Sequence, residues 1–149
     1  MKASRLIFTL LLASSVAVVQ LAAQQAKADQ KPMEEAKAKA EAGDAESQVE
    51  LGRRYDEGAG VVKDRAEAAK WYRKAAEQNY ANAQFNLGMC YEEADAGTED
   101  WAEVYKWLSL AAMQGHERAK KFMTVLESQL MTPEQIAQGQ KRAREFKPR

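Results

Sequence analysis

The sequence is poor in the residue types on which many functional sites depend. Its 149 residues include one cysteine (Cys90), one histidine (His116) and three prolines. A single cysteine excludes an internal disulfide and any metal site built from several thiolates. Basic and acidic side chains are equal in number, 22 of each, so no excess of positive charge indicates a nucleic acid partner. The length suits a single domain.

Recognisable catalytic motifs are also missing. The sequence contains no Gly-x-Ser-x-Gly, no Cys-x-x-Cys, no phosphate-binding loop and no pair of histidines at helical spacing. Neighbouring acids such as Glu92 and Glu93 point about 100° apart on a helix, so they do not converge on one proton. His116 follows Gly115, where a lone histidine is usually exposed or caps a helix. We therefore predict that the protein is not an enzyme and uses no cofactor or metal.

The first 28 residues have the pattern of an export signal. Lys2 and Arg5 precede an uncharged, mostly apolar run over residues 6–21, which is shorter than the roughly 20 residues that span a bilayer. Ala26-Lys27-Ala28 then supplies the small-x-small pattern of a signal peptidase site, and a weaker second site ends at Ala23. We therefore predict cleavage after residue 28 and a periplasmic or secreted protein. The alternative is an uncleaved membrane anchor.

The rest of the chain contains an internal repeat of 36 residues. Residues 45–78 align with residues 81–114 without a gap, and 14 of the 34 aligned pairs are identical. Chance would give about two or three identities. A repeat of this length predicts an all-α solenoid, in which helix pairs bury their apolar faces by stacking. The identical positions that we assign to the structural core are Leu51, Gly52, Tyr55, Trp71, Leu87, Gly88, Tyr91 and Trp107.

Each repeat is predicted to form two helices. Asp64 and Glu67 have the spacing of a capping box, as have Asp100 and Glu103, and each pair marks the start of a second helix. The predicted helices span residues 45–57, 64–78, 81–93 and 100–114, and a last helix runs from Thr132 to about Phe146. The predicted organisation is a signal peptide (1–28), an N-terminal capping helix (29–44), repeat 1 (45–80), repeat 2 (81–116), and a partial repeat with a basic C-terminal capping helix (117–149).

The repeated residues form a pattern that resembles a known family. The pattern is Ala-x-x-x-x-x-Leu-Gly-x-x-Tyr, then Gly-x-Gly-Val, then Asp, then Lys-Trp-Tyr-x-x-Ala-Ala-x-Gln. It is similar to the Sel-one-like repeat (SLR) family, whose members are α-solenoids related to tetratricopeptide repeats. The second repeat departs from the pattern at its turn, where Ala94–Gly97 replaces Gly58–Val61. The resemblance implies an exported bacterial scaffold that binds other proteins or peptides.

The resemblance also implies where a partner would bind. In tetratricopeptide modules the first helices of the pairs line a concave groove. An apolar strip flanked by charge in such a groove suits a peptide or helix. For Phe85, packing between helices is an equal alternative. The predicted groove residues are Val49, Arg53, Asp56, Phe85, Met89, Glu92 and Lys121.

We predict that the protein is an exported interaction module that binds a partner protein or peptide, and a regulatory role is one form of this function. The alternatives are a hydrolase that acts on cell-wall or β-lactam substrates and an immunity or inhibitor protein for an exported toxin. Family members linked to β-lactam handling carry cysteine pairs in each repeat, and the single Cys90 argues against that subgroup. Cys90 itself is interpreted as a small packing residue, with an intermolecular disulfide as the alternative.

The C-terminal segment is basic, since residues 117–149 hold eight basic and four acidic side chains. On the last helix, Lys141, Arg142 and Arg144 could contact anionic lipid or an acidic partner. The simpler interpretation is that cations near a helix C-terminus are favoured by the helix dipole. Membrane contact through this helix is therefore the alternative and not our prediction.

Overall fold

The structure is a computed structural model that describes residue 20 and residues 33–92 and 100–149. Two sequence predictions lie outside these residues. One is the export signal with its cleavage after Ala28, and the other is the interhelical turn of the second repeat at residues 94–97.

The chain divides into two compact units, Met1–Glu35 and Ala36–Arg149. The few described residues of the first unit are helical. Those described in the second unit form helices and no strand, and the predicted spans of the four repeat helices agree with the structure to within one residue at each end. The helices are α1 (residues 33–41), α2 (Ala45–Glu57), α3 (Arg65–Glu77), α4 (Ala81–Glu92), α5 (Trp101–Met113), α6 (Glu117–Val125), which continues into a π-helical turn (Leu126–Leu130), and α7 (Pro133–Glu145).

The helices begin at side chains that satisfy free backbone amides. The Asp64 carboxylate accepts a hydrogen bond from the backbone N–H of Glu67 at 3.0 Å, as predicted. The reciprocal half of the predicted capping box is not formed, because the Glu67 carboxylate accepts from the Lys70 ammonium instead, at 2.8 Å. A complete capping box is present at α7 between Thr132 and Gln135. The second repeat has the same arrangement as the first at Asp100, Glu103 and Lys106.

Consecutive helices pack against each other from α2 to α6, which confirms the predicted α-solenoid of stacked helix pairs. The side chains of Leu51 and Leu87 are completely buried, and Trp71 and Trp107 are nearly so. Tyr55 and Tyr91 are only half-buried at the edge of the core, although we expected their rings to be hidden from water. The tyrosines that are buried, Tyr72 and Tyr105, are not among the positions that are identical in the two repeats.

Glycine allows the two helices of each repeat to approach closely. A Cβ atom at Gly52 would lie 2.7 Å from the Tyr72 ring, closer than real Cβ contacts. A Cβ atom at Gly88 would lie 3.0 Å from the Leu108 side chain. These contacts give the repeated glycine its physical reason, because a larger residue would force α3 away from α2 and α5 away from α4.

Helix α7 departs from the repeat pattern, because its main packing partner is α5 and not the preceding helix α6. Its Gly139 lies against Tyr105, and the Arg142 guanidinium donates to the Asp100 carboxylate at 2.6 Å. Beyond the helix, the backbone N–H of Arg149 donates to the carbonyl of Glu77 on α3 at 2.9 Å. The C-terminal residues therefore extend over the second helices of both repeats.

Candidate protein-binding surface

The first helices of the repeats, α2 and α4, together with α1 border a cavity of about 790 Å³. Val49, a predicted groove residue, contributes an apolar side chain to it, and Tyr80 contributes an aromatic one. Its other lining residues are charged, polar or small, namely Ala36, Lys39, Ala42, Asp44, Glu46, Ser47, Glu50 and Asn82. A cavity of this size with a mixed lining is large enough to accept several side chains of a partner.

Two carboxylates at this cavity, Asp44 and Glu50, have a pKa below the ordinary value. Hydrogen bonds from Ser47 lower the pKa of Asp44, which is the N-cap of α2. A hydrogen bond from the Arg53 guanidinium, with a further one from Arg54, lowers the pKa of Glu50. These two carboxylates therefore keep their negative charge in mildly acidic solution.

Arg53, another predicted groove residue, is exposed and paired along its own helix. Its guanidinium donates to Glu50 at 2.9 Å and also to Glu57. Hydrogen bonding to Glu50 raises the pKa of Arg53. Exposed pairs of this kind contribute little to stability, so Arg53 can exchange these partners for an acidic group on another protein at small cost.

Asp56 and Met89, two more predicted groove residues, come together at a second cavity of about 60 Å³. The Asp56 carboxylate lies 3.4 Å from Nε of Arg65. Tyr72 also borders this cavity, and burial raises the pKa of its hydroxyl above the ordinary value. The volume is sufficient for a small polar group or a water molecule, and not for a larger ligand.

The structure corrects the groove prediction for Phe85, whose side chain is only 5% exposed. The His116 ring stacks on it with centroids 4.5 Å apart, and the Arg118 guanidinium carbon lies 4.8 Å from its centroid. Phe85 therefore packs between helices, which was the alternative interpretation, because the last residue of the second repeat, His116, and the following Arg118 cover it.

The remaining predicted groove residues lie apart from both cavities. Glu92 is half-buried at the end of α4, and Lys121 is exposed on α6. Neither side chain lines the cavities described above. The structure thus brings Val49 to one cavity and Asp56 with Met89 to another, and the seven predicted residues do not form one site.

Sequence reasoning missed a set of glutamines that connect the helices. The Gln48 side-chain amide donates to the carbonyl of Ala40 at 3.0 Å and accepts from Gln78 at 2.9 Å. Gln84 donates to Ala76 and accepts from Gln114 at 2.7 Å in the same way. Gln48 aligns with Gln84, and Gln78 aligns with Gln114. The identity of these positions in the two repeats was the signal in the sequence that could have indicated their role.

The other residues singled out in the sequence have local roles. His116 is the N-cap of α6, because its Nδ1 accepts from the backbone N–H of Ala119 at 3.1 Å. Cys90 is half-buried and borders the smaller cavity. Arg142 pairs with Asp100 and Glu103, while Lys141 and Arg144 are exposed. Within the described residues, no three His, Cys, Asp or Glu side chains are grouped to hold a metal ion. None of the helices described combines the length and apolar character of a membrane span.

Comparison with known families identifies both repeats. Residues 45–80 and 81–116 each match the family model described as the Sel1 repeat. The chain contains two Sel1 repeats. Sel1 repeats generally mediate protein–protein interactions and are typically not enzymes. The matched boundaries coincide with the two repeats that were drawn from the sequence.

Two solved structures illustrate the similarity. One is a protective antigen of uropathogenic Escherichia coli with an SLR fold, at 28% identity and a TM-score of 0.65, covering 72% of this chain and 23% of the antigen. The other is a Sel1 repeat protein from Oxalobacter formigenes, at 36% identity and a TM-score of 0.56, covering 70% of this chain and 45% of the relative. The chain thus spans less than half the length of either. No curated protein matches it.

Proposed function

We propose that this protein is an exported interaction module that binds another protein through the concave surface of its first helices. The observation that carries this proposal is the cavity of about 790 Å³ between α1, α2 and α4, with Val49 and Tyr80 as apolar contacts and a charged rim. The two Sel1 repeats support binding in general, because such repeats generally mediate protein–protein interactions. The identity of the surface and of the partner is our inference.

A photo-crosslinking amino acid at position 49 tests the surface. In intact cells, we expect it to form a covalent adduct with one partner of defined mass. The matched control places the same amino acid at position 138, an exposed residue on α7 away from the cavity. The same adducts from both positions, or none from position 49, would contradict the proposed surface.

Export is tested separately by the N-terminus of the purified protein. We expect the chain to begin at Asp29 and to be recovered in the periplasmic or secreted fraction, because residues 26–28 have the small-x-small pattern. Replacing Ala26 and Ala28 with leucine should block cleavage, since leucine is too bulky for the peptidase pocket. A full-length chain in the cytoplasm would refute export and leave the proposed binding surface to the crosslinking test.

A further inference from the structure

His116 connects the second repeat to helix α6 in two ways. Its Nδ1 accepts the backbone N–H of Ala119 at 3.1 Å, so this nitrogen must be unprotonated. The same imidazole ring stacks on Phe85 of α4, with an angle of 22° between the rings. One neutral side chain thus caps α6 and covers an aromatic ring of α4.

Protonation of His116 would remove the capping contact and bring a second cation to the Phe85 ring. An imidazolium has a proton on each nitrogen and cannot accept from Ala119. Its charge would stand at the N-terminus of α6, where the helix dipole disfavours a cation. Arg118 already lies over the Phe85 ring, so protonation would place a second cation at that ring. Burial, and then the charge of Arg118, lower the pKa of His116 below its ordinary value.

The other charged groups near His116 do not offset the positive charge of an imidazolium. On α6, the Glu117 carboxylate is paired with the Lys120 ammonium at 2.7 Å, and Lys121 adds another positive charge. The parts of helices α4 and α5 that lie next to His116 are the N-terminal half of α4 and the C-terminal end of α5. Neither part contains a charged side chain. The charged residues that these two helices contain are Glu92, Glu103 and Lys106, which lie toward their opposite ends.

The face of the Phe85 ring attracts a cation and so favours an imidazolium stacked on it. The C-terminal end of α5 also favours a cation at this position. Its carbonyl groups are already occupied, since the carbonyl of Ala111 accepts from the backbone N–H groups of Gln114 and His116, and that of Ala112 accepts from Gly115. Burial, the capping contact and the nearby Arg118 outweigh the Phe85 ring and the C-terminal end of α5, and the neutral form of His116 is favoured.

We propose that His116 is a pH-sensitive cap, which holds the first turn of α6 on α4 when neutral and releases it, uncovering Phe85, when protonated. Because the unfolded chain binds this proton more readily than the folded one, the cap contributes its full stability above pH 6.5. That contribution is lost as the pH falls through the lower pKa of the folded state. The use of the uncovered Phe85 ring in binding rests on the proposed function, but the cap itself does not.

Nuclear magnetic resonance of the untagged protein tests this cap, because the single histidine gives one unambiguous imidazole signal. We expect that signal to titrate with a pKa below 6.5. Over the same pH range, the amide protection factors of residues 117–121 should fall by about threefold or more as the cap is lost. The ring-current shift between His116 and Phe85 should disappear with the same midpoint.

Two variants distinguish the effect of losing the cap from a general loss of stability at low pH. His116→Asn keeps a side-chain acceptor at the N-cap without a titrating group, so the protection of residues 117–121 should become independent of pH. Arg118→Gln keeps the cap and removes the neighbouring charge, so the pKa of His116 should rise toward 6.5. A histidine pKa at or above 6.5 in the unmodified protein, or an unchanged pH dependence in either variant, would overturn the proposal. None of these measurements needs a partner, so they cannot fail with the proposed function.

Discussion

Four buried or bridging glutamines connect the helices of the two repeats by one pattern of hydrogen bonds. Gln84 is completely buried, and its amide joins α4 to the carbonyl of Ala76 at the end of α3 and to Gln114 at the end of α5. A buried amide that lacks hydrogen-bond partners would destabilise the fold, so Gln84 and Gln114 depend on each other for this hydrogen bond. Gln48 and Gln78 make the same connection one repeat earlier.

Replacing Gln84 with leucine should therefore destabilise the protein by about 1–3 kcal/mol, because Gln114 and the carbonyl of Ala76 lose a buried partner. The double variant Gln84→Leu, Gln114→Leu should lose less than the sum of the two single variants, with a coupling of about 0.5–3 kcal/mol. Urea unfolding followed by circular dichroism measures both quantities. As the control, Gln138→Leu on the exposed face of α7 should change stability by less than about 0.5 kcal/mol. Additive losses would show that the two amides do not act together.

Among the helices, α7 illustrates what sequence could and could not predict. Its start was predictable because Thr132, Pro133 and Gln135 act locally on the first turn. Its docking on α5 was not, because that contact depends on Gly139 meeting Tyr105, 34 residues earlier in the chain. Local signals fix helix ends, whereas the partner of a helix face is decided by residues that only the tertiary structure brings together.

The candidate surface follows the same rule. The resemblance to the spacing of tetratricopeptide modules assigned Val49 to a groove, and Val49 lines the larger cavity. The same spacing offered no means of predicting that His116 and Arg118 cover Phe85. Those two residues belong to the cap and first turn of α6, where the second repeat ends and the pattern no longer applies.

A substitution in α7 tests the close approach of this helix to α5. A Cβ atom at position 139 would lie 2.7 Å from the Tyr105 side chain and 3.0 Å from the carbonyl oxygen of Ala102. Because a backbone oxygen cannot rotate away, Gly139→Ala should destabilise the protein by about 1–3 kcal/mol. This is opposite in sign to the gain of roughly 0.5–1 kcal/mol that the same change gives inside an exposed helix. Thermal unfolding measures the effect, and an increase in stability would show that α7 does not pack so closely.

At the scale of the whole second unit, α6 and α7 together end the array. At the positions that align with Gln48 and Gly52 of the first repeat, α6 has the exposed residues Lys120 and Thr124. Helix α6 therefore lacks the residues that allow a further helix pair to pack closely. Helix α7 instead covers α5, where the Phe146 ring meets the Trp107 ring edge-on at 5.5 Å. A solenoid needs such a terminal helix, because an uncovered apolar face favours association.

Two truncations test this closing role. Ending the chain after Met131 removes α7 and exposes Tyr105 and Trp107, so we expect a loss of at least about 3 kcal/mol and aggregation during gel filtration. Ending it after Phe146 removes only residues 147–149 and the contact between Arg149 and Glu77, so this control should stay monodisperse. Tryptophan emission should shift to longer wavelength in the first truncation alone, because Trp107 becomes accessible to water there. Two stable, monodisperse truncations with equal emission would mean that α7 is an appendage and that α5 ends the array without it.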